Sequence, residues 1–392
     1  MLPLAGVKVI EFCQVLAGPF CGCLLADMGA DVIKVESPDG GDLMREWPPL
    51  LDGYSQYFAS VNRNKRSVTL DLKDAVGLQA ARKLALSADV VIENFRPGVM
   101  AKFGLDHATL AKGKPSLVYC SVSAFGQTGP RAKEGGFDMT VQAISGAMSV
   151  TGEPDGRPAK SGIPIADFTA GLYAAFTVVS ALHKVKRGEP GDHIDVSMLG
   201  AMLGIANLQT SELFGTGRDP VRLGSAHPMN APYAAFRCRD GYFALAAGTD
   251  KLWQAVCEGI QRPDFMQDSR FASPSLRARH QNELRDLLEA EFVKHNAAEL
   301  LAIFNERGVP CAPINRYSQV LADSQVQHMQ WVEDVRLPNG VRTKTVVSPQ
   351  RISGQRLGVY RNPPALGEHT AEVMAEIGLA NMKARTSERV NE

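Results

Sequence analysis

No two cysteines of this 392-residue chain are spaced as Cys-x-x-Cys. The seven present, Cys13, Cys21, Cys23, Cys120, Cys238, Cys257 and Cys311, are odd in number and scattered, which argues against a disulfide framework and a zinc site. The eight histidines include no His-Glu-x-x-His pattern, so no metal is expected. Charge of neither sign is in excess, with 42 basic and 42 acidic residues, so neither nucleic acid nor an anionic membrane is expected as a partner. Aromatics make up only 7% of the chain, too few to interleave with basic residues as a nucleic-acid surface. The longest apolar run, near 168–182, falls below the roughly 20 residues of a membrane span and reads as a buried helix. Residues 1–12 read as a strand and lack the charged, apolar, small-residue order of a secretory signal. Buried free thiols in a reducing cytoplasm are therefore expected.

The content is that of a globular protein, 45% hydrophobic, and the length suggests about two domains. Residues 6–12 read as a strand, 19–29 as a helix and 30–35 as a second strand closed by Glu36. This resembles a nucleotide-binding unit, yet Gly18 and Gly22 do not make Gly-x-Gly-x-x-Gly, which argues against a nicotinamide cofactor. Alternation continues with strands at 67–71, 90–93, 117–122 and 193–196 and helices at 75–88 and 197–208. A mostly parallel α/β sheet is expected. Residues 215–232 read as a linker. Beyond them, short strands at 234–237 and 242–246 precede helices at 252–259, 281–294 and 297–307. The expected division is 1–224, a smaller domain at 225–330 and a returning segment at 331–392, whose polar end, 383–392, is expected to be mobile.

One residue stands out for chemistry. In Ser161-Gly-Ile-Pro-Ile-Ala-Asp167-Phe, a strand-like stretch at 162–166 delivers Asp167 to the start of an apolar helix running from Phe168 to about Lys186. Helix-terminus amides would hold its carboxylate ionised by about 0.3–1 kcal/mol, ready to act as a nucleophile. On local sequence alone, a plain N-cap aspartate is the commoner role. Two other segments invite a functional reading. Gly135-Gly-Phe-Asp138 opens a helix ending at Ser145-Gly146, which suits an active-site wall or merely a closely packed cap. Asn62-Arg-Asn-Lys-Arg66, with Lys73, Arg96 and Lys102, suits the phosphates of a ligand or is ordinary surface charge.

In combination these stretches carry more. Leu16-Ala-Gly-Pro19, residues 30–36, Asn62–Ser67, Leu70-Asp-Leu-Lys73, Glu93-Asn-Phe-Arg-Pro-Gly98, Gly135-Gly-Phe-Asp138, Gln142-Ala-Ile-Ser-Gly146 and Asp167 occur in one order and spacing. The chain closely resembles the class III coenzyme A transferases, the CaiB/BaiF family, from about residue 3 to about 380. The resemblance implies a large Rossmann-like domain with a parallel sheet, a smaller α+β domain and an interlocked homodimer. It places the nucleophile on Asp167 and the coenzyme A contacts on Gln14, Leu16, Ala17, Leu70, Asp71, Leu72, Lys73, Asn94, Phe95 and Lys102. Phe137, Asp138 and Gly248 fall near the substrate, and the amides of Ala247-Gly-Thr-Asp250 are candidates to stabilise oxyanions. Acyl-CoA enters as substrate, with no permanently bound cofactor.

The implied reaction is acyl-CoA:carboxylate exchange through an anhydride and an aspartyl-CoA thioester on Asp167. Departures narrow it. The family's α-methylacyl-CoA racemases carry a histidine where this chain has Phe137, so one of two required proton carriers is missing. Formyl-CoA transferases carry a glutamine at the position of Leu16 and a glycine run of which only Gly248 is kept. Succinyl-CoA or another dicarboxylyl-CoA is the expected donor, with Arg45, Arg63 or Arg222 as candidates to bind a second carboxylate. A non-catalytic CoA-binding protein would be expected to have lost Asp167.

Overall fold

The computed structural model describes residues 1–379. The expected mobile segment, 383–392, lies outside the described residues. The chain forms two compact units. Among the described residues the first comprises 1–147, 161–211 and 325–379; the second comprises 148–160 and 212–324. The division differs from the expected one, and the second unit ends at Ser324 rather than 330. The second unit begins at Glu212 rather than 225, and it also takes in 148–160. Gly224 donates its N–H to the carbonyl of Gly152, which ties that excursion to the unit that follows in sequence.

The first unit is built on a six-stranded, wholly parallel sheet. Its strands are β1 (Lys8–Phe12), β2 (Asp31–Glu36), β3 (Lys65–Thr69), β4 (Val90–Glu93), β5 (Val118–Ser123) and β6 (His193–Ser197). Their spatial order is β3-β2-β1-β4-β5-β6. This is the doubly wound nucleotide-binding order, with its reversal between β1 and β4. The strands read as near-continuous apolar runs because both faces are covered. Val9, Val32, Ile92 and Val118 pack under helices α1 (Ala17–Asp27) and α4 (Ile165–Lys186). Their neighbours Ile10, Ile33, Val91 and Tyr119 pack on the other face, against α2 (Ala75–Ser87) and Val373 and Met374 of a late helix.

Helix α4 corrects one expectation. It has 22 residues and is long and apolar enough, by length and composition alone, to cross a membrane. The shorter run counted from sequence missed its first turn, because Gly162–Ala166, expected as a strand, is coil followed by the helix start. Ala166, Ala170, Ala174 and Val178 on one face of α4 are fully buried in the sheet-side core. Two short helices complete the elements around the site: α3 (Asp138–Ile144) and α5 (Met198–Ile205).

The second unit has a three-stranded antiparallel sheet, with Gly241–Ala246 between Tyr233–Cys238 and Cys311–Pro313. Helices Asp250–Gly259, Gln281–Phe292 and Ala297–Glu306 cover it. Phe236, Phe243, Phe292 and Phe304 interlock as edge-on and stacked rings in its core. All seven cysteines are free, six of them buried, with Cys311 half-buried.

Candidate active site

Three strand ends meet at the sheet reversal. The loop after β1 runs through Gln14, Val15 and Leu16 into α1. The loop after β4 carries Asn94, Phe95, Arg96 and Pro97, and the end of β5 carries Val122, Ser123 and Ala124. All of these line one cavity of about 490 Å³. Ligands of open α/β sheets bind at such a reversal, beyond the carboxyl ends of the strands. Leu43, Glu134, Gly135, Gly136, Phe137, Thr140 and Met198 complete the wall, and Asp167 lines the same cavity.

Asp167 is the third residue of α4, not its cap; the N-cap is Pro164, which offers no side-chain bond. The uncapped first turn is instead held from outside. The N–H of Ala166 donates to Asp138 Oδ1 at 2.9 Å, and Gln142 Nε2 donates to Asp138 Oδ2 at 2.7 Å. Gln142 Oε1 in turn accepts the N–H of Ser161 at 2.8 Å. Helix α3 thus clamps the start of α4 and fixes where Asp167 stands. One turn further along, Gly171 lies against α1: a Cβ there would sit 2.8 Å from the carbonyl oxygen of Ala17. Only glycine allows that approach, which brings Asp167 beside the Leu16–Ala17 loop.

Burial, and then the neighbouring Asp138 carboxylate, push the Asp167 pKa up to about 7. The expectation that the helix terminus keeps it firmly ionised is therefore corrected. The dipole is worth about 0.3–1 kcal/mol, less than the cost of desolvating a carboxylate beside a second one.

The structure brings Gln14, Leu16, Ala17, Asn94, Phe95 and Phe137 around Asp167. Phe137 is 74% exposed at the wall, while the Leu16 side chain is mostly buried against Met44, Phe58 and Val61. The other named contacts fall elsewhere. Leu70 is buried and Leu72 packs on the α2 side of the sheet, while Lys73 and Lys102 are exposed outside the cavity wall. Asp71 Oδ1 accepts the N–H of Lys73. Gly248 belongs to the second unit, where its carbonyl accepts from Arg277. The Ala247 N–H is committed to the carbonyl of Pro232, so that amide is not an oxyanion donor.

The cation cluster at 62–66 is not a phosphate site. Lys65 and Arg66 are buried, Lys65 on Glu11 at 2.9 Å and Arg66 on Glu372 at 2.8 Å. Arg63 is bound to Asp27 at 2.6 Å, and Arg45 holds Glu36 through two bonds of 2.7 Å. Arg222, in the second unit, donates to the carbonyl of Pro154. Arg45 and Arg63 are thus spent on structural carboxylates, and Arg96 is the one cation among the described cavity residues.

The loop after β1 is unusually constrained. Val15 has φ of 64°, a left-handed conformation that costs a non-glycine residue about 1–2 kcal/mol. Its N–H donates to Asp42 Oδ1 at 3.0 Å. Asn94 Oδ1 accepts the Gln14 N–H and its Nδ2 donates to the Gln14 carbonyl, both at 2.8 Å. Sequence reading found Gln14 and Asn94 but missed Val15 and Asp42, since a strained φ leaves no trace in residue type. It also missed Ser123 and Ala124, although they stand at the carboxyl end of β5, where ligands of open α/β sheets bind.

The sequence profile of CoA-transferase family III matches residues 4–370. The chain belongs to CoA-transferase family III. It is similar to a succinate–glutarate CoA-transferase of Agrobacterium fabrum, 41% identical over 96% of each chain. A Homo sapiens succinyl-CoA:glutarate CoA-transferase is 35% identical over 96% of this chain and 86% of its own. The crystal structure of a CaiB/BaiF family protein from Brucella suis superposes with a TM-score of 0.86 at 39% identity, covering 96% of this chain and 99% of that one. This family III chain is accordingly an enzyme of the CoA-transferase type. Among the described residues no group of three or more His, Cys, Asp or Glu side chains could hold a metal.

Proposed function

We propose that the chain moves coenzyme A from succinyl-CoA, or another dicarboxylyl-CoA, to a second carboxylic acid, with glutarate the first acceptor to test. One observation carries this reading. Asp167 lines a cavity at the sheet reversal whose described wall contains no histidine, lysine or cysteine. A carboxylate with no such nucleophile or base beside it suits a reaction in which carboxylates exchange a thioester.

In its ionised form, Asp167 attacks the donor thioester carbonyl, forming a mixed anhydride and releasing the CoA thiolate. The thiolate attacks the aspartyl carbonyl of the anhydride, leaving an aspartyl-CoA thioester and the free donor acid. The acceptor carboxylate attacks that thioester, and the released thiolate takes the acceptor's acyl group and regenerates Asp167. No proton is consumed and no cofactor enters. The anhydride keeps the reactivity of the thioester, which a serine ester would not. Gln14, Leu16, Ala17, Asn94 and Phe95 are the proposed contacts for the CoA moiety; Phe137 shields the anhydride from water. Helix α1 starts without a side-chain cap, and its first amides would stabilise the developing oxyanions in place of the Ala247 amide.

Racemisation needs a second proton carrier opposite Asp167. Phe137 stands at the histidine position, and Asp138 is occupied by Ala166 and Gln142. The working form is proposed to be an interlocked homodimer. Leu172, Tyr173, Phe176 and Val179 leave the second face of α4 apolar and exposed, a pattern suited to burial by another chain.

A panel of mono- and dicarboxylic acids assayed with succinyl-CoA tests the donor. Formation of glutaryl-CoA or another acyl-CoA is expected. Failure of every acid to become a CoA ester would overturn this donor assignment.

A further inference from the structure

Behind the loop that follows β1 lies a closed set of charges. Glu11, Lys34, Lys65 and Asp42 are each at most 1% exposed. Lys34 Nζ stands 2.9 Å from Asp42 Oδ2 and 3.3 Å from Glu11 Oε1, and it donates to the carbonyl of Cys13 at 2.7 Å. Lys65 Nζ reaches both Glu11 oxygens and the carbonyl of Pro19. Buried ion pairs of this kind rarely stabilise more than an apolar core of the same volume, so stability alone does not account for them. What sets this group apart is its target. Cys13 and Pro19 flank the stretch Gln14–Ala17 and Val15 lies within it, and each of the three is gripped by one of these side chains. Val15 is the one residue of the four from Gln14 to Ala17 with a positive φ. The carboxylate that takes its N–H is itself fixed by Lys34 and by the N–H of Met44 on Oδ1, and the backbone N–H of Asp42 donates to Glu36 Oε2. Lys34 and these amides hold the Asp42 carboxyl below the ordinary aspartate range against the opposing effect of burial, so it is ionised throughout the neutral range.

We propose that Asp42 is a positioning residue: anchored by Lys34, its carboxylate locks Val15 in the left-handed conformation and so sets the path of Gln14–Ala17 along the acyl-CoA cavity. Asp42 does not line the cavity and acts only through Val15. The inference rests on the transferase reading of that cavity. It deepens that reading by placing loop pre-organisation in a strained residue and a buried ion pair. Without the lock, Val15 relaxes to negative φ, the amides around it turn, and the loop must be re-ordered each time a ligand binds.

The test uses the full chain with Asp42→Ala, Asp42→Asn and Asp42→Ala/Val15→Gly. Binding of free CoA is read by calorimetry and KM and kcat by succinyl-CoA turnover, with a melting curve for each variant. Asp42→Ala is expected to raise the CoA Kd and the succinyl-CoA KM at least tenfold, with a smaller change in kcat. Asp42→Asn keeps an oxygen for the Val15 N–H and is expected to stay within about threefold of wild type, although it melts lower. Val15→Gly, which takes positive φ without strain, is expected to recover most of the Asp42→Ala loss in KM without recovering its melting temperature. A purely structural role would lower the melting temperature of both Asp42 variants and give no KM rescue by glycine. That result, or equal KM values for the Ala and Asn variants, overturns the inference. Wild-type chain that binds no CoA overturns the cavity reading itself; wild-type binding with unshifted variants overturns this inference alone.

Discussion

A carboxyl whose pKa is pushed up to about 7 is divided between its two forms at neutral pH, and under the proposed mechanism Asp167 would set the pH dependence of the reaction. Only the ionised form attacks a thioester, so kcat/KM is expected to rise through about pH 7 and flatten above it. Asp138→Asn removes the like charge but keeps an acceptor for the Ala166 N–H. The midpoint of the profile is then expected to move to lower pH, while an unmoved midpoint would mean that Asp138 does not tune the nucleophile. Stability carries the opposite sign. A carboxyl whose folded pKa lies above its unfolded value costs stability as it ionises, between about pH 4 and pH 7. Asp167→Asn is therefore expected to melt higher than wild type at pH 8 and by less at pH 5, measured by calorimetry. At this scale the sequence was half legible. Asp167, Asn94 and Phe137 are visible as residue types at strand and helix ends. The charge state of Asp167 was not, because burial decides it, and the cations at 62–66 were misread for the same reason. Sequence clustering looks the same whether Lys65 faces solvent or Glu11.

Among elements, the crossing of α1 and α4 does the positioning. Gly171 lets the two backbones meet next to Ala17, and the Asp138–Gln142 clamp fixes the first turn of α4. Gly171→Ala places a methyl 2.8 Å from the Ala17 oxygen. It is expected to lower kcat roughly tenfold or more by displacing Asp167, with a loss of about 1–3 kcal/mol in stability. A variant that melts lower with unchanged kcat would uncouple this crossing from catalysis. Gly22 plays a parallel part in α1, since a Cβ there would meet Glu11 Oε2 at 1.9 Å and break the buried charge set. Gly22 was read only as failing a phosphate-loop pattern and Gly171 was not singled out, whereas both are close-approach sites. The alternation of strands and helices was legible because apolar runs bounded by turn residues mark it. The start of α4 was not, since 162–166 read as a strand and the Asp138 clamp comes from 28 positions away in the chain.

For the molecule as a whole, the strand order with its reversal between β1 and β4 explains why distant segments converge at one cavity. Loops after strands adjacent at the reversal must open side by side there. The parallel sheet could be anticipated from the strand–helix rhythm; the detour of 148–160 into the second unit could not, because it is a long-range pairing with no local signature. The exposed apolar face of α4 belongs to this scale too. Light scattering is expected to give twice the chain mass in solution, and Phe176→Asp, on a side chain 73% exposed in the single chain, is expected to reduce the dimer fraction or yield insoluble protein. Monomeric wild-type chain with full activity would contradict the homodimer. The central claim is that Asp167 carries the acyl and CoA groups covalently. Its most direct test is incubation with succinyl-CoA and hydroxylamine, followed by peptide mass spectrometry. The account predicts a hydroxamate on Asp167 that requires the acyl-CoA and is absent from Asp167→Asn. An unmodified Asp167 in a preparation that turns over succinyl-CoA would contradict it.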